Sequence, residues 1–567
     1  MKRKLALALV AAMVIGSVAG CGSDGGAKET KKSETGTESS TANDDAEEAS
    51  DAGSEGQNLV VEVGPDPETI DPALNSAIDG GNMIIHAFEG LLIQDEENVI
   101  QPGQAESFDV SDDGLTYTFH LREGLKWSDG SPLTANDFVY SWKRVVDPNT
   151  AAPYAETMLN TVKGYDEAIN GNVDALAVTA PDDKTLVVEL SAPCLYFDKI
   201  VAFATLMPVQ QATVEANGDA WATSADTYIT NGPFYIKEWV PGSHVLMAKN
   251  PNYWDADSIK LDTLKFLLME DTNASYSAWQ SGEAMMIKDV PIDEIEALQD
   301  SEEFHLDPTM GTYYISFNLE KEPFNDPKVR EALSLCIDRE YVADTIMQGT
   351  YTAATNLIGP GISDAEDGSS FQETTSEKYG DKYAIGDFDA QVEKAQKLME
   401  EAGYPNGEGF PTVEYMTNDA SYHKPLAEYL QQEWKDKLGV NMEINIVEWS
   451  VFTASRRNGD YQIARNGWVM DYDDPSSMLD CFETGNGNND GKYSNEELDS
   501  LLHDARSTTD KAAHYDFLHK AEQNILENSV MAPVAYYNDF YLQSSKLKNT
   551  WHNSNGFWYF MYATIEE

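Results

Sequence analysis

Cysteine is scarce in this chain of 567 residues: four are present, at 21, 194, 336 and 481, and no two stand at C-x-x-C spacing. That argues against a thiolate zinc site; beyond Cys21 the three that remain allow at most one disulfide, and Cys194, Cys336 and Cys481 are expected as buried thiols. Basic residues are few as well, 38 Lys and Arg against 97 Asp and Glu, for a formal charge of −59. A surface of that sign repels phosphates and anionic headgroups, so nucleic acid is the least favoured partner. No run of 18 apolar residues occurs, so no segment reads as a membrane-spanning helix. The nine histidines form no H-E-x-x-H, and His514 and His519 are five apart, off one helical face. The stretch Gly487-Asn488-Asn489-Asp490-Gly491-Lys492 has three residues between its glycines and a Tyr after its Lys, which is not phosphate-loop spacing. Asp471, Asp473 and Asp474 are followed by Pro475 and lack the distal Glu of a calcium loop. No nucleophile elbow is present. No catalytic constellation, metal site or cofactor motif is read, and enzymatic activity is not expected.

What is present is 41% apolar and 10% aromatic content in a chain too long for one core, so several packed lobes are expected. Lys2, Arg3 and Lys4 precede an apolar run from Leu5 to Ala19, the layout of an export signal over residues 1–20. Val18-Ala19-Gly20-Cys21 resembles the lipobox of bacterial lipoproteins, which implies cleavage before Cys21 and lipidation of its thiol. From 21 to 57 the composition turns to Gly, Ser, Thr, Ala, Asp and Glu, which cannot offset ordering entropy and reads as a disordered acidic tether. The signal carries +3 and the tether −7, so −55 belongs to the folded body. There, Thr116–Leu121 alternates with Tyr117, Phe119 and Leu121 on one face, and Thr185–Leu190 reads as another strand. Asp326-Pro327 opens a helix to about Ile337. Asp389 begins a helix closed by Gly403, and Leu426 begins one closed by Gly439, followed by a strand from Val440 to Val447. The fold class is mixed α/β, without internal repeats.

Leu121-Arg122-Glu123-Gly124-Leu125-Lys126-Trp127-Ser128-Asp129-Gly130 resembles the signature of the family 5 extracellular solute-binding proteins, the peptide and nickel receptors of ABC importers. Phe88-Glu89-Gly90-Leu91-Leu92, Tyr140-Ser141-Trp142-Lys143-Arg144, Asn231-Gly232-Pro233-Phe234-Tyr235, Asn250-Pro251-Asn252-Tyr253-Trp254 and Pro323-Phe324-Asn325-Asp326 extend the likeness over 58–567. The resemblance implies a periplasmic-binding-protein-like fold of two main lobes and a hinge, plus a third, inserted lobe. Lobe I takes 58–88, 214–310 and 539–567, lobe II 89–213 and lobe III 311–538. The chain crossings near 310 and 538 form the hinge that closes on ligand.

The same resemblance singles out Trp468-Val469-Met470-Asp471-Tyr472, where W-x-x-D-Y supplies the aspartate that meets a peptide's α-ammonium. A buried ammonium needs a carboxylate partner, and Asp471 takes that place. Capping of the turn before Pro475 is the other role open to it. Arg465 and Arg456 match basic positions facing the ligand carboxylate, with an internal ion pair as the alternative. His423 matches a position reaching longer ligands, or is a surface residue. Tyr154, Trp449, Trp468 and Tyr537 are aromatic walls, or core. The expected partners are an oligopeptide, the permease subunits of an ABC importer and, through the lipid on Cys21, the membrane; a monomer is expected. A receptor for cell-wall or signalling peptides stands as an alternative, and an adhesin or chaperone with a vestigial cleft is the reading of another class.

Overall fold

The computed structural model describes residues 56–566, apart from 97, 289, 367, 419–421 and 448 and the side chains of 449 and 450. The export signal, Cys21 and the tether up to 55 lie outside the described residues. The first strand, Gln57–Glu62, begins at the last residue of the expected tether. Gln57 pairs with Leu261 in the sheet, and its side-chain amide exchanges two hydrogen bonds, 3.2 and 3.1 Å, with the backbone of Ile565.

One large sheet runs through the described residues. From one edge its strands are Met442–Val447, Val413–Asn418, Ile463–Val469, Phe304–Phe317, Met531–Gln543, Met286–Ile287, Gln57–Glu62, Leu261–Leu267, His244–Lys249 and Phe234–Val240, with Thr352–Ala353 paired to Met531–Gln543. A second sheet orders Ala105–Val110, Thr116–Leu121, Thr185–Glu189 and Val178–Asp182. Tyr117, Phe119 and Leu121 are buried on one side of it, as the alternation requires.

Local chemistry sets most element ends. Asp326 caps the helix Pro327–Leu335 by accepting from the Lys328 N–H at 2.9 Å. The helix expected from Asp389 is Phe388–Glu401, with Asp387 at the cap position and Asp389 in its first turn, where a carboxylate favours the helix dipole. The helix expected from Leu426 starts at His423 and ends, as expected, on Gly439 in the left-handed region. The strand after it is Met442–Val447, shorter by two residues than the expected Val440–Val447.

The strings that carry the resemblance prove to be joints. Glu89 is buried and accepts from Gln104 Nε2 at 2.8 Å, from Trp254 Nε1 at 2.6 Å and from the Tyr253 hydroxyl, while Arg122 lies over the Trp254 ring at 3.7 Å. Asn231 donates to the Glu89 carbonyl at 2.8 Å. Four separated strings thus meet around Glu89, whose carboxyl pKa burial pushes up to about 7. Arg144 holds buried Asp71 through Nη1 and Nη2 of its guanidinium, at 2.8 and 2.5 Å.

Buried apolar side chains form two large clusters. One draws on Leu59 through Met286, on Tyr472 and on Tyr541 through Ala563; the other draws on residues between Met310 and Ala535. The long strands Phe304–Phe317 and Met531–Gln543 connect them. Between these strands Pro308 pairs with Asn538 and Thr312 with Tyr536, so Thr309, Met310 and Gly311 oppose Tyr537 alone. This is a bulge, the device by which a ladder bends. Gly311 is required there by contact: a Cβ on it would stand 2.5 Å from Cδ2 of Tyr537. Cys194, Cys336 and Cys481 are buried and free.

Candidate functional site

The strand Ile463–Val469 lies beside Phe304–Phe317 and delivers its chain into a tight turn at 470–475, ahead of the short helix Ser476–Leu479. Three acids of that turn have three different fates. Asp474 accepts from the Ser476 N–H at 3.0 Å and its hydroxyl at 2.6 Å, so Asp474 is the residue that caps the turn. It also meets His514 Nε2 at 2.9 Å; burial pushes its pKa up, but His514 opposite brings the carboxyl below its usual range. Asp473 pairs with Lys199 at 2.9 Å and accepts from the Ser363 N–H at 2.7 Å and its hydroxyl at 2.5 Å.

Asp471 is different. Its backbone is fixed, the N–H donating to Ser477 Oγ at 3.0 Å and the carbonyl accepting from Asn555 Nδ2 at 2.8 Å. Its carboxylate has one hydrogen-bonding side chain, the Tyr154 hydroxyl, and no Lys, Arg or His pairs with it among the described residues. Burial pushes its pKa up to about 6, with the Tyr154 hydrogen bond pulling the other way. A desolvated carboxylate without a counter-charge is a costly arrangement that a cationic ligand relieves.

Asp471 stands where two cavities meet. One, of about 210 Å³, is mostly apolar, with Ile78, Tyr154, Phe203, Val469 and Phe557 around Asp471. The other, of about 550 Å³, is polar, and its walls include Glu156, Arg457, Trp468, Asp480 and Arg506. Trp468 is half-buried there, and its Nε1–H has no hydrogen-bond partner among the described residues.

The basic candidates lie away from Asp471, Arg465 on the strand Ile463–Val469, Arg456 on the helix Trp449–Asn458 and His423 at the start of the helix His423–Leu438. Arg465 is buried, donates from Nε to Asn418 Oδ1 at 2.8 Å, and lies over the Phe452 ring at 4.8 Å. Arg456 pairs with Asp490 at 2.8 Å, bonds Asn466 and approaches the same ring at 5.4 Å, so an internal acid matches its charge. His423 is buried, not on the surface; its Nδ1 stands 3.3 Å from the Tyr313 hydroxyl. Burial and then the Arg465 charge drive its pKa down to about 3, so the imidazole is neutral. Tyr537 packs edge-on to Tyr313 at 6.2 Å and to Tyr351 at 5.2 Å, and Tyr351 bonds the Tyr422 hydroxyl. Trp449 opens the helix Trp449–Asn458, and its side chain lies outside the described residues.

The structure thus brings Asp471, Tyr154 and Trp468 to one place and Arg465, His423 and Tyr537 to another, with Trp468 and Arg465 at different points of the strand Ile463–Val469. Tyr313, Tyr351, Tyr422, Phe452 and Asn418 are members of the second group that sequence reasoning missed. Tyr422 carried a signal, as the residue next to His423. Tyr351 carried none.

Residues 99–490 match the family described as bacterial extracellular solute-binding proteins, family 5. Oligopeptide-binding protein OppA of Bacillus subtilis (strain 168) is 33% identical over 514 residues, covering 89% of this chain and 92% of its own. Among solved structures, OppA of Haemophilus influenzae in complex with the peptide RPPGFSPFR has a TM-score of 0.73 at 28% identity, covering 90% of this chain and 99% of that one. The Escherichia coli murein tripeptide binding protein MppA gives 0.74 at 29% identity, covering 90% and 99%. The mixed α/β, multi-lobed architecture is that of these binding proteins, and the chain belongs to the bacterial extracellular solute-binding proteins of family 5.

Proposed function

We propose that this protein is a lipid-anchored extracytoplasmic receptor that holds oligopeptides between two lobes and delivers them to the permease of an ABC importer. The observation that carries the reading is Asp471, a desolvated carboxylate at the meeting of two cavities with no basic partner among the described residues. A free peptide amino terminus supplies the missing charge. The relatives named for oligopeptide binding support the ligand class. An extended peptide held by its ends and main chain is read without regard to most side chains, which suits a receptor of broad range. Such binding and release requires no chemistry on the ligand.

In this reading lobes I, II and III take the boundaries 58–88 with 214–310 and 539–567, 89–213, and 311–538. The bulge at Thr309–Gly311 opposite Tyr537 acts as the hinge. Arg465 and neutral His423 serve the far end of the ligand, with Tyr537 as a wall. The basic leader and the lipobox-like Val18-Ala19-Gly20-Cys21 support a diacylglyceryl anchor on Cys21, with the acidic tether as spacer.

The test is titration calorimetry with RPPGFSPFR and its N-acetylated form. Removing one member of a buried charge pair costs about 2 to 5 kcal/mol, roughly 30-fold to several thousand-fold in Kd. Asp471→Ala and N-acetylation each weaken binding by that much, and the two losses do not add. Acetylated peptide binding wild type as tightly as free peptide refutes ammonium recognition by Asp471. Mass spectrometry of ligand co-purified with the tether-free protein reports the natural length and sequence range.

A further inference from the structure

Residues 471–473 touch the other core at three consecutive positions. The Asp471 carbonyl takes the Asn555 amide at 2.8 Å. The Tyr472 ring stacks on Tyr196, with centroids 4.8 Å apart and planes 7° from parallel. The Asp473 carboxylate pairs with Lys199 Nζ at 2.9 Å, and the same ammonium donates to the Asp473 carbonyl. Tyr472 packs with the first apolar cluster, the only member of that cluster from between Met310 and Ala535 among the described residues. Its neighbours along the chain, Met470 and Met478, belong to the second.

We infer that Tyr196, the residue capping the short helix Phe197–Val201, and Lys199, within that helix, form a latch with Tyr472 and Asp473 that holds the two cores closed beside Asp471. The pairing is well desolvated: the Lys199 side chain is 18% exposed and that of Asp473 1%, so salt screens it little. Asp473 is oriented by Ser363 from its own side, so the carboxylate is held ready for Lys199 rather than recruited by it. The stacked rings add apolar area and geometric register to the charge pair. Because Asp471 and Tyr472 are adjacent, an occupant of Asp471 and the latch share one rigid turn. Neither Tyr196 nor Lys199 needs to touch the ligand to set how long it stays. The latch rests on the receptor reading only for this consequence; the contacts themselves join the two cores whatever the ligand.

Spin labels at exposed Asp183→Cys and Ser507→Cys, in a Cys21→Ala background, report the distance across the latch, Cys194, Cys336 and Cys481 being buried. Double electron–electron resonance is recorded without ligand and with saturating RPPGFSPFR. Lys199→Met lowers the ratio of closed to open populations more than threefold in at least one of the two conditions, while Lys199→Arg, which keeps the charge, stays within threefold of wild type. Should Lys199→Met fail to fold, Lys199→Gln takes its place. A ratio within threefold of wild type in both conditions for the charge-removing variant overturns the latch. If that variant shifts the ligand-free ratio while RPPGFSPFR moves neither protein, the latch stands and recognition of this peptide fails.

Discussion

Peptide affinity should fall with pH as Asp471 is protonated, and Asp471→Asn separates that effect from the titration of Asp480 in the same cavity. The perturbation is acidification from pH 7 to pH 4. The carboxyl of the empty site titrates at about 6, because burial disfavours its ionised form. An α-ammonium binds the carboxylate and not the acid, so the competent fraction is about nine-tenths at pH 7 and about one-eleventh at pH 5. Kd should therefore rise about tenfold between those values and about another tenfold by pH 4. The ligand does not cause the fall, since its amino group, with a pKa of about 7.7 to 8, remains charged throughout. Calorimetry in buffers of different ionisation enthalpy should count close to one proton released per peptide at pH 5 and close to none at pH 7. N-acetylated peptide and Asp471→Asn should both give shallow profiles. A profile for Asp471→Asn as steep as that of wild type refutes the assignment.

The raised pKa has a stability consequence of opposite sense. A carboxyl whose pKa is raised on folding favours its protonated form in the native state, so its ionisation opposes folding. The protein is most stable with respect to this group below the unfolded value near 3.8 and loses that stability as pH rises through about 6. A rise of that size corresponds to about 3 kcal/mol at most. Asp471→Asn should therefore stabilise the ligand-free protein at pH 7 by up to about 3 kcal/mol in urea unfolding, while weakening free-amino peptides. An unchanged or lower urea midpoint contradicts the absence of a counter-charge.

Replacing Cys21 by Ala should release the protein to the medium or leave its leader uncleaved; full membrane retention of a processed Cys21→Ala protein argues against the lipid anchor. Small-angle scattering should show a smaller radius of gyration with saturating RPPGFSPFR, and binding without compaction rules out closure at the Thr309–Gly311 bulge. Gly467→Ala places a Cβ 2.0 Å from the Tyr537 hydroxyl, an overpacking that should cost about 1 to 3 kcal/mol and less in a Tyr537→Phe background. Equal losses in both backgrounds mean that Tyr537 does not pack against that strand.

How far the sequence could be read depended on the range of the physics involved. Strand alternation at Thr116–Leu121, the Asp-Pro start at 326 and the glycine stop at 439 are decided within a few residues, and the observed elements fall there. The motif strings were recognisable one by one, yet their common purpose, a joint around Glu89, appears only when residues 89, 104, 231 and 254 meet. The tyrosine group around His423 was not legible because Tyr351 and Tyr422 are 71 positions apart and neither lies in a periodic pattern. Asp471 is the instructive case. Spacing from Trp468 marks it among the acids of its turn, and spacing says nothing about which of those acids is left uncompensated. That is decided by His514, 40 positions from Asp474, and by Lys199, 274 positions from Asp473. With those two neighbours neutralised by distant partners, Asp471 is the carboxylate that neither counter-charge reaches. A local motif and a long-range charge balance, which share no assumption, therefore select the same residue.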